Sequence, residues 1–249
     1  GGSVGQAAMV PFAQWGIETG GTSFAFTLLA ATMVLALVIC PRLEWQAPIR
    51  VPGQTPAGLS GLPALARRAL ADRDFALLTL GFFACGFQLA FLTVHLPTHL
   101  VLCGLPTGLG VTALMLIGLF NIPGSWLCGR IGNVIRPEIA LGAIYLARTI
   151  CIAVFAATVP TEWGTMIFAA VMGFIWLGTV PLTSAAIARR FGVADLGALY
   201  GICFLSHQVG GFIGAGAGAI VVDSTGSYAA FWPVMLVVGL VAIASNWAT

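Results

Sequence analysis

The sequence carries very little charge. Charged residues make up 7% of its 249 residues, hydrophobic types make up 59%, and the mean hydropathy is +1.01. Average soluble domains contain roughly 25% charged residues, so this composition excludes a water-soluble globule. The sequence therefore indicates a polytopic membrane protein, with the lipid bilayer as its first partner.

Lysine is absent, because all ten basic residues are arginines. A net charge of +2 without a polybasic arm excludes nucleic acid as a partner. A chain without lysine also cannot form the Walker-type phosphate loop, so ATP-driven pumping by this chain is unsupported. The six cysteines form no Cys-x-x-Cys pair, and we expect neither a cofactor nor a metal site.

Long apolar segments are what the sequence does contain. A helix needs about 20 apolar residues to cross the bilayer core. Eight segments reach or approach that length, and they predict an all-α, multi-pass helical bundle. They span residues 1–15, 23–39, 75–96, 109–128, 139–159, 164–188, 197–222 and 229–247.

Nine of the ten arginines are confined to alternate connections between these segments. They lie in residues 41–73, 129–138 and 189–196, whereas the intervening connections contain none. The positive-inside rule assigns the three arginine-rich connections to the cytoplasm. A lysine-free, Ala- and Gly-rich composition is typical of a GC-rich bacterial genome, so we expect the bacterial plasma (inner) membrane.

The longest connection divides the chain. Residues 41–73 hold five prolines and three glycines, which is typical of a solvated linker. Its last part, 59–73, predicts a short amphipathic helix on the cytoplasmic surface. The predicted organisation is two helices in 1–40, the linker in 41–73, and a six-helix bundle in 74–249.

Several short stretches match motifs of one transporter family. In the connection after the fourth span, Gly129, Ile131 and Arg136 fit the pattern Gly-x-Leu-x-Asp-Arg-x-Gly-Arg-Arg, with Asn133 in place of the Asp and the second Gly absent. Similar matches begin at residues 21, 176, 191 and 223. In these motifs and in its basic linker, the chain resembles the major facilitator superfamily of secondary transporters, near the monocarboxylate and oxalate–formate branch.

The resemblance implies a larger architecture. Members have two six-helix halves joined by a long cytoplasmic loop. This chain would correspond to about the fifth helix through the twelfth, and the missing N-terminal helices of the same protein would be its partners. The third, fourth, sixth and seventh spans would then line the transport cavity, with the fifth and eighth outside them.

Arg148 is the clearest charged residue within a span. A charge at the bilayer centre costs roughly 2.5–3.5 kcal/mol on insertion scales, which indicates a specific role. Arg148 is expected to be a counter-charge for an anionic substrate or a buried carboxylate. The alternative is an arginine that extends its side chain to the membrane surface.

His207 lies near mid-depth in the seventh span. Imidazole titrates near neutral pH, so His207 could relay protons, or it could donate to a backbone carbonyl of a neighbouring helix. Tyr200 shares its face. Gln208 lies about 100° around the helix from His207, so we expect the two not to face the cavity together.

Other spans carry sparse polar stripes. Met172, Trp176, Thr179 and Thr183 share one face of a continuous sixth helix. Such stripes could orient a solute or simply hydrogen-bond helices to one another. The glycines at 210, 214 and 218 predict close helix packing. The full set of substrate-pathway candidates is Arg148, His207, Gln88, Asn121, Trp176, Thr179, Tyr200 and His95.

The predicted function is secondary active transport of a small organic solute by alternating access. A monocarboxylate or another organic anion is the expected substrate, with a proton or a counter-substrate as the coupled species. A drug or metabolite efflux antiporter is the alternative within transport. A membrane-embedded hydrolase is the alternative from another class. It would use Ser3 in a Gly-x-Ser-x-Gly pattern with His207, but that pattern requires a strand–turn–helix setting, so we expect no enzyme.

Overall fold

The computed structural model describes residues 2–42 and 58–249. Within them the chain forms nine α-helices, and a short 3-10 helix, Cys40–Arg42, follows the first. Residues 43–57 of the predicted linker, Arg50 among them, lie outside the described residues. The α-helices are α1 (Gly2–Ile39), α2 (Gly58–Ala71), α3 (Arg73–Leu102), α4 (Gly108–Ile131), α5 (Pro137–Ala157), α6 (Glu162–Phe174), α7 (Thr179–Phe191), α8 (Leu196–Thr225) and α9 (Phe231–Trp247).

Six helical stretches in the described ranges are long and apolar enough to cross a membrane. One of them, Glu162–Phe191, contains both α6 and α7, and the 17-residue α9 is apolar but shorter. The described residues form helices joined by turns and irregular connections. The predicted all-α, multi-pass helical fold is confirmed.

The first helix, α1, contains two of the predicted segments. A straight helix of its 38 residues would be about 57 Å long, nearly twice the thickness of the bilayer core. The backbone breaks at Gly21, whose φ of 77° is readily adopted only by glycine. A Cβ placed on Gly16 would lie 3.1 Å from Ala25 Cα, although a straight helix separates these residues by about 13 Å. The chain therefore doubles back near Gly21.

The amphipathic helix predicted at the end of the linker is present as α2. Its inner face buries Leu65 and Ala69 against the helical core, and Arg67 and Arg68 are exposed on the other side. The helix ends before Asp72, whose carboxylate accepts a hydrogen bond of 3.1 Å from the Phe75 backbone N–H and so caps α3. The sequence pattern located this helix correctly.

Glycine residues allow α8 to pack directly on α3. A Cβ on Gly210 would overlap the Phe83 carbonyl, and one on Gly214 would overlap the Phe87 carbonyl. From the other helix, a Cβ on Gly86 would overlap the backbone of His207. Only glycine permits so close an approach of two backbones, so the predicted packing role of the glycine stripe is confirmed.

The sixth predicted span is not one continuous helix, which corrects the sequence-based expectation. Residues 175–178 separate α6 from α7. Pro181, in the first turn of α7, has no N–H to donate to the Leu177 carbonyl, which instead accepts from Val180 N at 3.1 Å. The four residues expected on one face are all buried, but they belong to two helices and the break between them: Met172, Trp176, Thr179 and Thr183.

Candidate functional site

A cavity of about 530 Å³ lies between α1, α3, α4 and α8. Trp176, from the α6–α7 break, also contributes to its wall. This cavity thus takes residues from the third, fourth, sixth and seventh predicted spans and from the first half of α1, and its role in transport stays a prediction. The polar lining residues are Gln6, Thr93, His207 and Gln208, and the others are Val10, Gly86, Leu89, Ala90, Leu114, Trp176, Gly211 and Phe212.

His207 and Gln208 both line this cavity, contrary to the expectation from helical geometry. Their Cβ atoms diverge by about 100°, but the Gln208 side chain is long enough to turn back toward its neighbour. Its Oε1 lies 3.2 Å from His207 Nδ1. The imidazole also stacks on Phe204, with ring centroids 5.6 Å apart, so one ring face is fixed by packing.

Tyr200 lies two turns before His207 on the same side of α8. Its ring contacts Phe82 on α3 at 5.9 Å between centroids and Phe204 at 6.3 Å. The side chain thus joins the aromatic row that supports His207. The predicted common face of α8 is confirmed by these contacts.

Three predicted residues meet at the α6–α7 break. The Arg148 guanidinium, which is fully buried, donates to the carbonyl oxygens of Ile175 at 3.2 Å and Trp176 at 2.7 Å. Asn121 Oδ1 on α4 accepts from the Leu177 backbone N–H at 3.1 Å. These bonds satisfy backbone groups that the interruption of the helix leaves without helical partners.

Thr179 completes the same cluster. This buried residue begins α7, and its hydroxyl lies 3.4 Å from Cys85 Sγ on α3. The same sulfur accepts from Arg148 Nη1 at 3.3 Å. The cluster, which we call the break cluster, consists of Cys85, Asn121, Arg148, Thr179 and the backbone of residues 175–177.

The two remaining candidates form hydrogen bonds between helices. Gln88 Nε2 donates to the Met235 carbonyl on α9 at 3.0 Å. His95 Nδ1 lies 2.8 Å from the Tyr228 hydroxyl, and its Nε2 lies 2.8 Å from the Ala215 carbonyl. A carbonyl oxygen only accepts, so Nε2 carries a proton and donates to Ala215.

An ion-pair cluster lies where α3 begins and α7 ends. Arg190 contacts Asp72 at 2.8 Å and Asp74 at 2.6 Å. The hydrogen bond from Arg190 is the main reason why the pKa of the Asp72 carboxyl lies below its ordinary value of 3.8. A neighbouring cavity of about 180 Å³ is lined by residues from these two helix ends and from the start of α5, including Arg189 and the α5 N-cap residue Arg136. Three arginine-rich connections therefore share one face, as their alternation predicts.

Sequence reasoning did not identify Gln6, Thr93 or Gln208 as cavity residues. Each is a polar residue inside an apolar run, which was the available signal. Which polar residue faces a cavity depends on how the helices are rotated, and a single span does not reveal its own rotation.

No family model matches the chain. Among curated proteins, it is similar to a protein of Bacillus subtilis (strain 168) named as the uncharacterised MFS-type transporter YcxA. The two are 28% identical over 178 residues, which cover 69% of this chain and 43% of the relative. The chain thus matches less than half the length of that protein, and the homology points to a transporter rather than to an enzyme. Together with its apolar helices, this homology confirms the resemblance to the major facilitator superfamily, and the chain is a multi-pass α-helical membrane protein.

Proposed function

We propose that this chain is part of a secondary active transporter that moves a small organic solute by alternating access. The observation that carries the proposal is the cavity between α1, α3, α4 and α8, in which His207 and two amide side chains meet a mainly apolar wall. Transporter sites lie at the junction of helical repeats, beside discontinuous helices. This cavity adjoins such a helix, because Trp176 of the α6–α7 break contributes to its wall.

The proposed substrate is a monocarboxylate or a related small organic anion. Among the described residues the cavity lining holds no Asp or Glu, whereas His207, Gln6 and Gln208 can each donate a hydrogen bond. A carboxylate accepts such bonds, and an organic cation would find no counter-charge. The apolar wall formed by Leu89, Leu114, Trp176 and Phe212 favours the second candidate, efflux of an apolar drug or metabolite.

The coupled species is proposed to be a proton or a counter-substrate. His207 is the titratable side chain of the described lining, and imidazole changes charge between about pH 5 and 8. We further propose the division into 1–40, 41–73 and 74–249, with the linker cytoplasmic, and a location in the bacterial inner membrane. The opposite wall of the transport path would come from other helices of the same protein.

Uptake by the protein reconstituted in liposomes tests this function. Radiolabelled lactate serves as the anionic probe, its neutral analogue lactamide as the comparison, and ethidium as the efflux probe. His207→Gln should raise the KM for lactate about tenfold, the loss of one charge-assisted hydrogen bond worth roughly 1.4 kcal/mol.

His99→Gln is the matched control, because His99 packs among Phe155, Tyr228 and Trp232, away from the cavity lining. It should leave the KM unchanged. Ethidium efflux without lactate uptake would favour the second candidate. The hydrolase alternative depends on Ser3, whose side chain lies outside the described residues. A hydrolytic activity that Ser3→Ala abolished, with no solute moved, would support that alternative.

A further inference from the structure

Helix α6 ends at Phe174, and the backbone carbonyls of its C-cap Ile175 and of Trp176 lie in the break that follows. Carbonyl groups at a helix C-terminus carry a partial negative charge. Arg148, on α5, reaches this point and donates through Nη2 to the oxygens of Ile175 and Trp176. The two carbonyls are therefore the electrostatic partners of a buried cation.

The remaining contacts of Arg148 are also internal to the bundle. Nη1 donates to Cys85 Sγ, and the guanidinium carbon lies 5.4 Å from the centre of the Tyr145 ring. The ion pairs of the described residues involve Arg73, Arg136 and Arg190, and Arg148 takes part in none of them. Full burial also excludes an arginine that extends to the membrane surface.

The break has little room to rearrange while these contacts persist. A Cβ on Gly178 would overlap the Cys128 side chain, and a Cβ on Gly173 would lie 2.5 Å from the Ile117 carbonyl. Asn121 accepts from the Leu177 N–H, which belongs to the same peptide group as the Trp176 carbonyl. The carbonyl of Trp176 itself is bonded by Arg148 at 2.7 Å, and the Trp176 side chain lines the cavity.

We propose that Arg148 is a positioning residue that acts on the transport cavity through Trp176. Its guanidinium holds the Trp176 carbonyl and so sets where the indole stands in the cavity wall. This role replaces the expected contact with an anionic substrate, because Arg148 bonds backbone carbonyls and is not among the lining residues. The proposal rests on the proposed function only in taking this cavity as the transport site.

Fluorescence of Trp176 tests the positioning without any transport assay. A variant of the protein keeps Trp176 as its one tryptophan, with each other tryptophan replaced by phenylalanine. Arg148→Met should shift its emission to longer wavelength and raise its quenching by acrylamide, because the indole is only 2% exposed when held in place. Arg148→Lys, which keeps a charged donor group but loses the fork of the guanidinium, should give an intermediate shift.

A second variant that keeps only Trp232 is the matched control. This residue is 7% exposed and packs in the aromatic cluster with Phe91 and Phe155, away from the break. Its emission should not change in Arg148→Met. Equal changes at both tryptophans would mean that Arg148 supports the whole bundle, and no change at Trp176 would mean that it does not position the indole. Either result overturns the proposal.

Transport kinetics separate positioning from substrate contact. If Arg148 acts through Trp176, Arg148→Met should impair lactate and lactamide equally, and Arg148→Met combined with Trp176→Ala should be no worse than the worse single variant. Loss confined to lactate, or additive losses in the double variant, would overturn the proposal. If neither solute is transported by the unaltered protein, the proposed function fails, while the fluorescence result still decides the role of Arg148.

Discussion

Helix α7 is contacted by an arginine at each end, and the two arginines have opposite surroundings. Arg190, in its last turn, has a side chain that is 46% exposed and binds the carboxylates of Asp72 and Asp74. Arg148 approaches from α5 just before the first turn, is fully buried, and binds the backbone carbonyls of Ile175 and Trp176. Arginine therefore pairs with carboxylates at the exposed end of α7 and with backbone carbonyls at its buried end.

The difference follows from the solvent at each depth. At the exposed end, water screens the ion pair, and such pairs contribute about 0–1 kcal/mol. In the break cluster, which is buried, a carboxylate partner of Arg148 would itself have to lose its hydration, at a cost of several kcal/mol. Carbonyls at a helix end carry a fixed partial charge and are already dehydrated, so they pair with a buried guanidinium without that cost.

The largest expected effect comes from removing the buried arginine. Arg148→Met should lower the free energy of unfolding by about 2–3 kcal/mol, because it leaves buried carbonyls without donors. Denaturant titration of the protein in lipid–detergent micelles measures it. Arg190→Met is the control and should cost less than about 1 kcal/mol. Equal losses of unfolding free energy in the two variants would show that burial does not make Arg148 contribute more to stability than Arg190.

A smaller effect is expected from the acceptor on the other side of the break. Asn121→Leu leaves the Leu177 N–H unpaired and should lower the free energy of unfolding by about 1–2 kcal/mol. Asn133→Leu is the matched control, since Asn133 is exposed and its side chain makes only a 3.4 Å bond to Gly129, so its cost should be within about 0.5 kcal/mol. A similar loss in both variants would contradict a specific role for Asn121.

The contribution of Asp72, at the exposed end of α7, to the free energy of unfolding should decrease in acid. Because the pKa of Asp72 is lowered in the folded state, its contribution is complete above the ordinary value of 3.8 and is lost as the pH falls through the folded-state pKa. Asp72→Asn keeps an N-cap acceptor but removes the charge, so it should cost at most about 1 kcal/mol at neutral pH and nothing in strong acid. Unfolding titrations of both proteins across this range measure the difference. If the two proteins still differed in unfolding free energy in strong acid, the cost of Asp72→Asn would come from the α3 N-cap and not from the ion pair.

The smallest expected effect is that of salt on the stability cost of the two arginine variants. Raising the ionic strength from about 0.1 to 1 M shortens the screening length from about 10 to 3 Å. The cost of Arg190→Met should therefore shrink toward zero, while that of Arg148→Met should not change, because ions do not reach the buried cluster. A double titration of salt and denaturant gives both values. Loss of the Arg148 effect in salt would show that solvent reaches the break.

Much of the fold was predictable because its signals are local. Apolar length indicated the membrane segments, arginine placement indicated which connections share one side of the bundle, and composition indicated α2. The glycine stripe at 210, 214 and 218 indicated a close helix contact, since its meaning depends on spacing alone. The α6–α7 break was missed, because the apolar run continues through residues 175–178 and Pro181 is tolerated in many membrane helices.

The candidate site was predictable only in part. Trp176 and His207 line one cavity, and their place in a substrate pathway stays a prediction, whereas the expectation that Gln208 would not face a cavity together with His207 was wrong. Arg148 was identified as an unusual buried charge, but its partners are backbone carbonyls of a distant segment, and any residue type supplies a carbonyl. The residue types at 175 and 176 therefore could not indicate that Arg148 binds there.

By itself, the sequence determined that this protein is a helical membrane protein with arginine-rich connections on one side, because hydropathy and charge act on each segment independently. Only the tertiary structure decided which polar residues face the cavity and which bond helices together. That choice depends on how each helix is rotated and where one is broken, and both are set by packing between segments far apart in the chain.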